Sequence, residues 1–212
     1  MCGRFELQTK FDNLPMILKH DYPIGLETKY ETRNLIRPTD QVLVIKNEGK
    51  MKTTFMSWGF ISPWAKHPFD KESPRPFNAR SETIEEKKLF SGSWKYRRCL
   101  IPASGFFEQR FRIRRENYET FWLGGIWSKW TSFDGAEIES CCVLTTKPND
   151  LVSPLHNRMP VVVPYGYEKE WTKHVKSSSE LKGLLPIILG WSSKGWLSEE
   201  VNKKQTIQMK LF

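Results

Sequence analysis

The chain has 212 residues, of which 33 are basic and 24 acidic, so its formal net charge is +9 at pH 7. An apolar content of 39%, with 13 Gly and 13 Pro, excludes a collagen-like, low-complexity or mostly disordered protein. The basic charge suggests a polyanionic partner, but it fits a basic protein without such a partner equally well.

Helices and strands follow from the spacing of apolar residues and from turn residues between them. In chain order, we predict a helix at Phe11–His20, strands at Gln41–Lys46 and Thr53–Trp58, a helix at Ser81–Phe90, strands at Cys99–Pro102, Tyr118–Trp127, Glu137–Thr145 and Met159–Val163, and helices at Tyr167–Lys176 and Ser178–Leu184. Asp134-Gly135 predicts a hairpin between two of these strands. Lys66–Pro76, which is polar and rich in proline, predicts a surface loop.

The predicted strands outnumber the helices and do not alternate with them regularly. We therefore expect an α+β, β-rich single domain over residues 1–212, with residues 201–212 as a loose tail or an edge strand. The apolar runs are much shorter than the roughly 20 residues of a membrane-spanning helix. No secretory signal is visible, so an intracellular protein without a membrane partner is expected.

The four cysteines fall into two groups. Cys99, Cys141 and Cys142 have apolar neighbours and are predicted to be buried, unreactive thiols. An adjacent cysteine pair is a poor disulfide, and neither C-x-x-C nor Cys–His zinc spacing occurs, so no metal or cofactor is predicted.

Cys2 differs because only the initiator methionine precedes it. Aminopeptidases remove methionine before a small residue, which would leave an α-amine and a thiol on one residue. Such an amine is partly neutral at pH 7 and can attack an aldehyde, after which the thiol can close a thiazolidine ring. The alternative is that cysteine at this position has no function.

Three other segments carry candidate polar groups. Asn78 could orient a nucleophile or a sugar oxygen and Arg80 could hold a phosphate, although an ordinary helix start explains both. Glu108 lies between aromatic residues, which would raise its pKa for acid–base catalysis, unless it is a surface residue. His156 and Arg158 could pair an acid–base group with a phosphate anchor, or His156 could be purely structural.

Two features could contact a nucleic acid without doing chemistry. Trp64 follows a proline and could stack on a base, whereas Trp58 is predicted to lie in the core. The alternating basic residues at 110, 112, 114 and 115 could flank a run of phosphates, but a solvated strand face explains them equally well.

In combination and in this order, these segments resemble the SRAP (SOS response-associated peptidase-like) family, whose members shield abasic sites in single-stranded DNA. The matching stretches are Met1–Phe5, Trp58–Trp64, Asn78–Thr83, Arg98–Glu108, Val143–Asp150 and His156–Val163. The resemblance implies a compact β-rich fold with antiparallel, barrel-like sheets, a few flanking helices and a basic DNA-binding groove.

The resemblance also implies roles for individual residues. Cys2 would crosslink to the ring-opened abasic aldehyde as a thiazolidine, Asn78 would position Cys2 and the deoxyribose, Glu108 would move protons during imine formation, and His156 would assist sugar opening and crosslink reversal. The implied DNA contacts are Arg4, Pro38, Trp64, Arg80, Thr145 and Arg158. Weak lyase activity, autoprocessing of Met1, a monomeric state and a cytoplasmic, nucleoid-associated location are implied as well.

The chain departs from the family pattern near two of these positions. Leu35-Ile36-Arg37 precedes Pro38 where the family has an Asn-containing motif, and Gln109 follows Glu108 where the family has Trp. Neither departure removes a proposed catalytic group. Two alternatives stay open: a thiol peptidase using Cys2, His156 and Glu108, and a non-catalytic single-strand binder.

Overall fold

The computed structural model describes residues 2–19, 25–69, 73–189 and 191–201. Its strands are β1 (Phe5–Leu7), β2 (Arg33–Ile36), β3 (Gln41–Asn47), β4 (Met51–Trp58), β5 (Asn78–Arg80), β6 (Arg98–Ala103), β7 (Gly105–Glu108), β8 (Phe111–Arg115), β9 (Phe121–Thr131), β10 (Glu137–Thr146), β11 (Met159–Pro160), β12 (Val162–Val163) and β13 (Trp196–Glu200). Its α-helices are α1 (Leu26–Lys29), α2 (Lys88–Tyr96), α3 (Glu168–Thr172), α4 (Ser178–Lys182) and α5 (Leu185–Leu189), with 3-10 turns at Phe11–Asn13, Met16–Lys19 and Ser81–Thr83.

Five strands close into a barrel, because β10 pairs with both β9 and β4 while β3 and β6 complete the ring. The β4–β10 pairing is parallel and the other pairings in the ring are antiparallel. The strands β5 and β11 extend β10, and β12 extends β9. The predicted α+β, β-rich class with barrel-like antiparallel sheets is confirmed.

A second sheet of five antiparallel strands has the order β13-β8-β7-β1-β2. The chain enters it from the barrel between Ala103, the end of β6, and Gly105, the start of β7. A Cβ atom at Gly105 would lie 2.6 Å from Oε1 of Glu6 on β1, so a larger residue at this crossing would have to displace a carboxylate that is paired with Arg112. This sheet therefore carries the N-terminal strand directly beside the strand that ends at Glu108.

Trp58 joins the barrel to the segments on either side of it in space, which contain Phe5 and Phe77. It is fully buried, as predicted, and its ring meets Phe5 edge-on at 5.0 Å between centroids. Its indole N–H donates to the carbonyl of Phe77 at 2.8 Å. A single core side chain thus fixes the strand after Cys2 and the strand that begins at Asn78.

The hairpin and the buried thiols are confirmed. The turn at Asp134-Gly135 joins β9 to β10, with Gly135 at a φ of 87°, and Cys99, Cys141 and Cys142 are fully buried. All four described cysteines are free thiols. The centre of the predicted loop and the tail from Asn202 onward lie outside the described residues.

The predicted helices are wrong in extent. Phe11–His20 forms two 3-10 turns, because Leu14, which precedes Pro15, takes an extended conformation with ψ of 147°; His20 lies outside the described residues. Ser81–Phe90 holds one 3-10 turn, and the helix starts only after Lys87, which is also extended. The two later helices are shorter than predicted, at Glu168–Thr172 and Ser178–Lys182.

Three of the four basic residues of β8 and the turn before it are paired with carboxylates, and the fourth, Arg115, lies over the ring of Trp196. Arg112 contacts Glu6 at 2.5 Å, and two neighbours in this run contact residues of β13. These two ion pairs are Arg114–Glu199 at 2.6 Å and Arg110–Glu200 at 2.9 Å. The run therefore holds the second sheet together, which favours the strand-face interpretation over a run of phosphate contacts.

Arg98 is a buried cation without a carboxylate in contact among the described residues. Its side chain is almost fully buried and donates to backbone carbonyls of α2 and of the α3 region, including that of Trp171 at 2.6 Å. Burial lowers its pKa to about 10, and the charges of Glu170 and Glu180 oppose that shift. The guanidinium thus links two helices that pack on β6.

Replacing Arg98 with Met is expected to lower the free energy of unfolding by about 3 kcal/mol, because several buried carbonyls lose their donor. Urea denaturation measures the change, with Arg97→Met as the neighbouring control. A loss no greater than that of the control would show that the guanidinium does not hold the helices.

Candidate functional site

The N-terminal segment lies against the end of β7. The register pairs Phe5 with Phe106, and the amide of Phe107 donates to the carbonyl of Arg4 at 2.9 Å. Continuing that antiparallel register places Gly3 opposite Glu108. Cys2 is therefore brought to the carboxyl end of β7, where its side chain is fully buried.

Asn78 holds the backbone of Cys2. It starts β5, which runs parallel to β10 with Asn78 in register with Val143. Its side-chain amide donates to the carbonyl of Cys2 at 3.0 Å. Its Oδ1 is buried and accepts no hydrogen bond from any residue within the described ranges. The structure thus brings together two residues that are 76 positions apart in the sequence.

Glu108 provides a carboxyl group in an apolar setting. It is 3% exposed, and burial raises its pKa, against the opposing charges of His156 and Arg4. The pKa of the Cys2 thiol is raised as well, by burial first and then by the negative charge of Glu108. The thiol therefore stays protonated at neutral pH, and the carboxyl group is suited to exchanging protons.

His156 follows a turn in which its own amide donates to the carbonyl of Val152 at 2.9 Å. Its Nδ1 accepts from the amide of Arg158 at 2.9 Å, so the neutral ring carries its proton on Nε2. Protonation of Nδ1 would break this bond and allow donation to the carbonyl of Arg158, 3.2 Å away. The shorter contact with the amide of Arg158 thus favours the tautomer that carries its proton on Nε2.

Arg158 is held by two groups. Its guanidinium binds both carboxylate oxygens of Glu82 at 2.7 Å and donates to the carbonyl of Thr145 at 2.6 Å. Although burial opposes it, this pairing lowers the pKa of Glu82. Thr145 is fully buried, so an effect of Thr145 on DNA would be indirect, through Arg158. A phosphate bound by Arg158 would have to compete with Glu82.

Replacing Glu82 with Gln is expected to lower the free energy of unfolding by roughly 1 kcal/mol, because the bidentate ion pair loses its charge. Urea denaturation at low salt measures this change. Glu86→Gln, an exposed change of the same kind four residues on, should have no measurable effect. Equal stabilities of the two variants would contradict a stabilising role for this ion pair.

Gln109 connects Arg4 to the His156 turn. Its carbonyl accepts from the Arg4 guanidinium and its side chain donates to the carbonyl of Leu155, both at 2.5 Å. Gln109 itself has a φ of 51°, in the left-handed region of the tight turn between β7 and β8. Sequence reasoning noted Gln109 only as a departure from the family pattern, and nothing in its neighbours indicates these long-range contacts.

The remaining candidates lie at the edge of this cluster. Arg80 is exposed and shares a strand face with Asn78, two residues earlier on β5. Trp64 is 59% exposed, and Pro38 is half-buried in the turn after β2. Within the described ranges, no hydrogen bond or ring contact joins Trp64 to Cys2, Asn78 or Glu108.

The described part of the chain has neither a metal-site arrangement nor a membrane-spanning helix. No group of three or more His, Cys, Asp and Glu side chains there is arranged to hold a metal ion. In the same ranges, no helix has the length and apolar content needed to cross a membrane.

Comparison with solved structures supports the fold. A protein from Bacteroides thetaiotaomicron superposes with a TM-score of 0.81 at 19% sequence identity, covering 97% of this chain and 94% of that one. A second, from Bordetella bronchiseptica, superposes with a TM-score of 0.76 and covers 95% of this chain and 100% of that one. At such low identity these similarities concern the fold alone.

Comparison with characterised sequences is more specific. The abasic site processing protein YoaM of Bacillus subtilis is 33% identical over 198 residues, which cover 87% of this chain and 85% of the relative. The abasic site processing protein YedK of Escherichia coli is 28% identical, covering 85% and 83% of the two chains. The family model for SOS response associated peptidase (SRAP) matches residues 1–204. The chain therefore belongs to the SRAP family.

Proposed function

We propose that this protein recognises abasic sites in single-stranded DNA and crosslinks to them covalently through Cys2 after removal of Met1. The observation that carries the proposal is the hydrogen bond from Asn78 to the carbonyl of Cys2, beside the buried carboxyl group of Glu108. An N-terminal cysteine held by its backbone next to a proton-exchanging group is suited to reacting with an aldehyde. The names of the SRAP relatives support an abasic site as the source of that aldehyde.

The first step forms an imine. The neutral α-amine of Cys2 attacks C1′ of the ring-opened abasic sugar and gives a carbinolamine. Protonated Glu108 gives its proton to the departing hydroxyl, which leaves as water, and the resulting carboxylate takes up the nitrogen's proton to leave a neutral imine. A raised carboxyl pKa favours this step, because it keeps a proton available near neutral pH.

The second step closes the ring. The Cys2 sulfur adds to the imine carbon, and its proton passes to the ring nitrogen, with Glu108 as the carrier. The five-membered thiazolidine contains the sulfur, C1′, the nitrogen and the Cα and Cβ atoms of Cys2. The overall reaction joins one aldehyde to one aminothiol and releases one water. Elimination from the imine would account for weak lyase activity.

His156 is suited to opening the sugar and to reversing the crosslink. Its Nε2–H can donate to a sugar oxygen, while the backbone of Arg158 keeps Nδ1 as an acceptor. This role, donation of a hydrogen bond to a sugar oxygen, differs from that of a histidine that takes a proton from a thiol to form a thiolate.

The alternative of a thiol peptidase is less well supported. Thiolate attack needs a lowered thiol pKa, whereas burial and the charge of Glu108 raise that of Cys2. Removal of Met1, by autoprocessing or by an aminopeptidase, is the one peptide cleavage that the proposal requires. Digestion of a peptide library in trans would reveal a general peptidase and would count against the proposal.

The test is incubation of the Met1-free protein with an oligonucleotide that contains one abasic site, followed by denaturing electrophoresis. We expect a denaturation-stable adduct with the abasic strand and none with the intact strand. Tight binding of both strands without an adduct would instead support the non-catalytic single-strand binder.

A further inference from the structure

A groove of about 770 Å³ opens beside Asn78. Its walls come from the segment that leads into β5, from β5 itself and from the start of α2. The volume lies in the range of small-ligand sites and is sufficient for a nucleotide. Asn78 and Arg80 both line the groove, so it is continuous with the candidate site.

The groove is lined by positive charge and by no acidic residue. Arg75, Arg80 and Lys87 contribute three cations. None of them forms an ion pair with any residue in the described ranges, although Arg75 lies 5.3 Å from the centre of the Phe69 ring and donates to Oγ of Ser57 at 3.2 Å. The side chains of Arg80 and Lys87 make no hydrogen bond, ion pair or ring contact within those ranges, whereas Arg158 and the arginines of β8 are each paired with a glutamate or stacked on a ring. Cations without carboxylate partners favour an anionic ligand.

The same groove has an apolar surface. Leu89, Phe77 and Phe90 line it together with Pro74 and Pro76. The Phe77 ring is held edge-on to Trp58, with 6.0 Å between centroids, so this surface is fixed by the core. A ligand that combines a phosphate with a flat, partly apolar ring would satisfy both kinds of wall.

We propose that this groove binds the nucleotide next to the abasic residue, with its phosphate on Arg80 and Lys87 and its base on the apolar wall. This inference rests on the proposed function and adds a subsite to it. Because the groove adjoins Asn78 on one side of Cys2, it would hold the strand on one side of the lesion only.

The test compares adduct formation by Met1-free proteins on oligonucleotides with an abasic site. One set shortens the flank on the 5′ or the 3′ side, and another replaces the adjacent nucleotide by an unreactive, base-free sugar. The variant is Lys87→Ala. Lys50→Ala is the matched control. It removes the same charge in the exposed turn before β4, and Lys50 does not line the groove.

On one side of the lesion, shortening the flank or removing the base should slow wild-type adduct formation about three- to tenfold. Lys87→Ala should slow the full-length substrate similarly and have no effect on the substrate shortened on that side. For Lys87→Ala, the slope of the logarithm of the adduct-formation rate against the logarithm of salt concentration should be shallower by about 0.7. This is the value for one phosphate contact to a single strand. Lys50→Ala should match the wild type.

Equal rates for Lys87→Ala and Lys50→Ala on every substrate would overturn the subsite and leave the crosslink intact. No adduct from the wild type would instead refute the proposed function. In that case fluorescence anisotropy with the same oligonucleotides still tests the groove, because Lys87→Ala alone should weaken binding. Equal affinities of the wild type, Lys87→Ala and Lys50→Ala in this assay would overturn the subsite.

Discussion

Replacing Glu108 with Gln is expected to slow adduct formation by about 10²- to 10³-fold, because general acid–base catalysis contributes rate factors of this order. The amide keeps the size of the side chain but cannot give or take the proton in either step. Single-turnover kinetics on an abasic oligonucleotide measures the loss. Glu116→Gln, an exposed change in the turn after β8, is the control. A rate within threefold of the wild type would remove Glu108 from the chemistry.

The same Glu108 variant should be more stable than the wild type at neutral pH. Burial raises the folded-state pKa of Glu108, so the folded state holds the proton more tightly than the unfolded state. Stability therefore falls as pH rises from the unfolded pKa through the folded pKa, and Gln avoids this loss. Thermal unfolding at pH 4 and pH 7.5 should show the advantage only at the higher pH.

Replacing Cys2 with Ser should abolish the denaturation-stable adduct, with at least a 100-fold lower yield. The small serine still permits removal of Met1 and retains the α-amine, so the imine can form. The hydroxyl is a much poorer nucleophile than sulfur for closing the ring. Borohydride reduction should therefore trap an imine that electrophoresis alone does not detect.

Cys142→Ala serves as the control for Cys2→Ser. Its thiol is fully buried, and burial raises its pKa. This variant should form the adduct at nearly the wild-type yield. Loss of the adduct in both variants would show that the reaction does not depend on the N-terminal thiol in particular.

The secondary-structure class could be predicted from the sequence because the barrel strands are long and rich in β-branched and aromatic residues. The short strands β1, β2, β5 and β7 could not, since three or four residues carry too little periodicity. Closure of the barrel also depends on a parallel pairing of Ser57 with Ser140, which no local pattern indicates.

In the candidate site, too, local sequence patterns predict less than the fold shows. Local sequence left Cys2, Asn78, Glu108 and His156 each with an ordinary structural explanation, and only the family resemblance grouped them. The contact of Asn78 with Cys2 depends on two sheets packing side by side, which lies beyond local patterns. For the same reason the pairing of Arg158 with Glu82 and the bridge through Gln109 emerged only from the fold.

The most direct measurement is mass spectrometry of the adduct formed by two preparations, one with Met1 removed and one with Met1 retained. We predict that only the Met1-free protein reacts and that the N-terminal peptide carries the sugar at Cys2, with the mass of the aldehyde less one water. An adduct of equal yield from the Met1-retained protein, or attachment at any other residue, would contradict it.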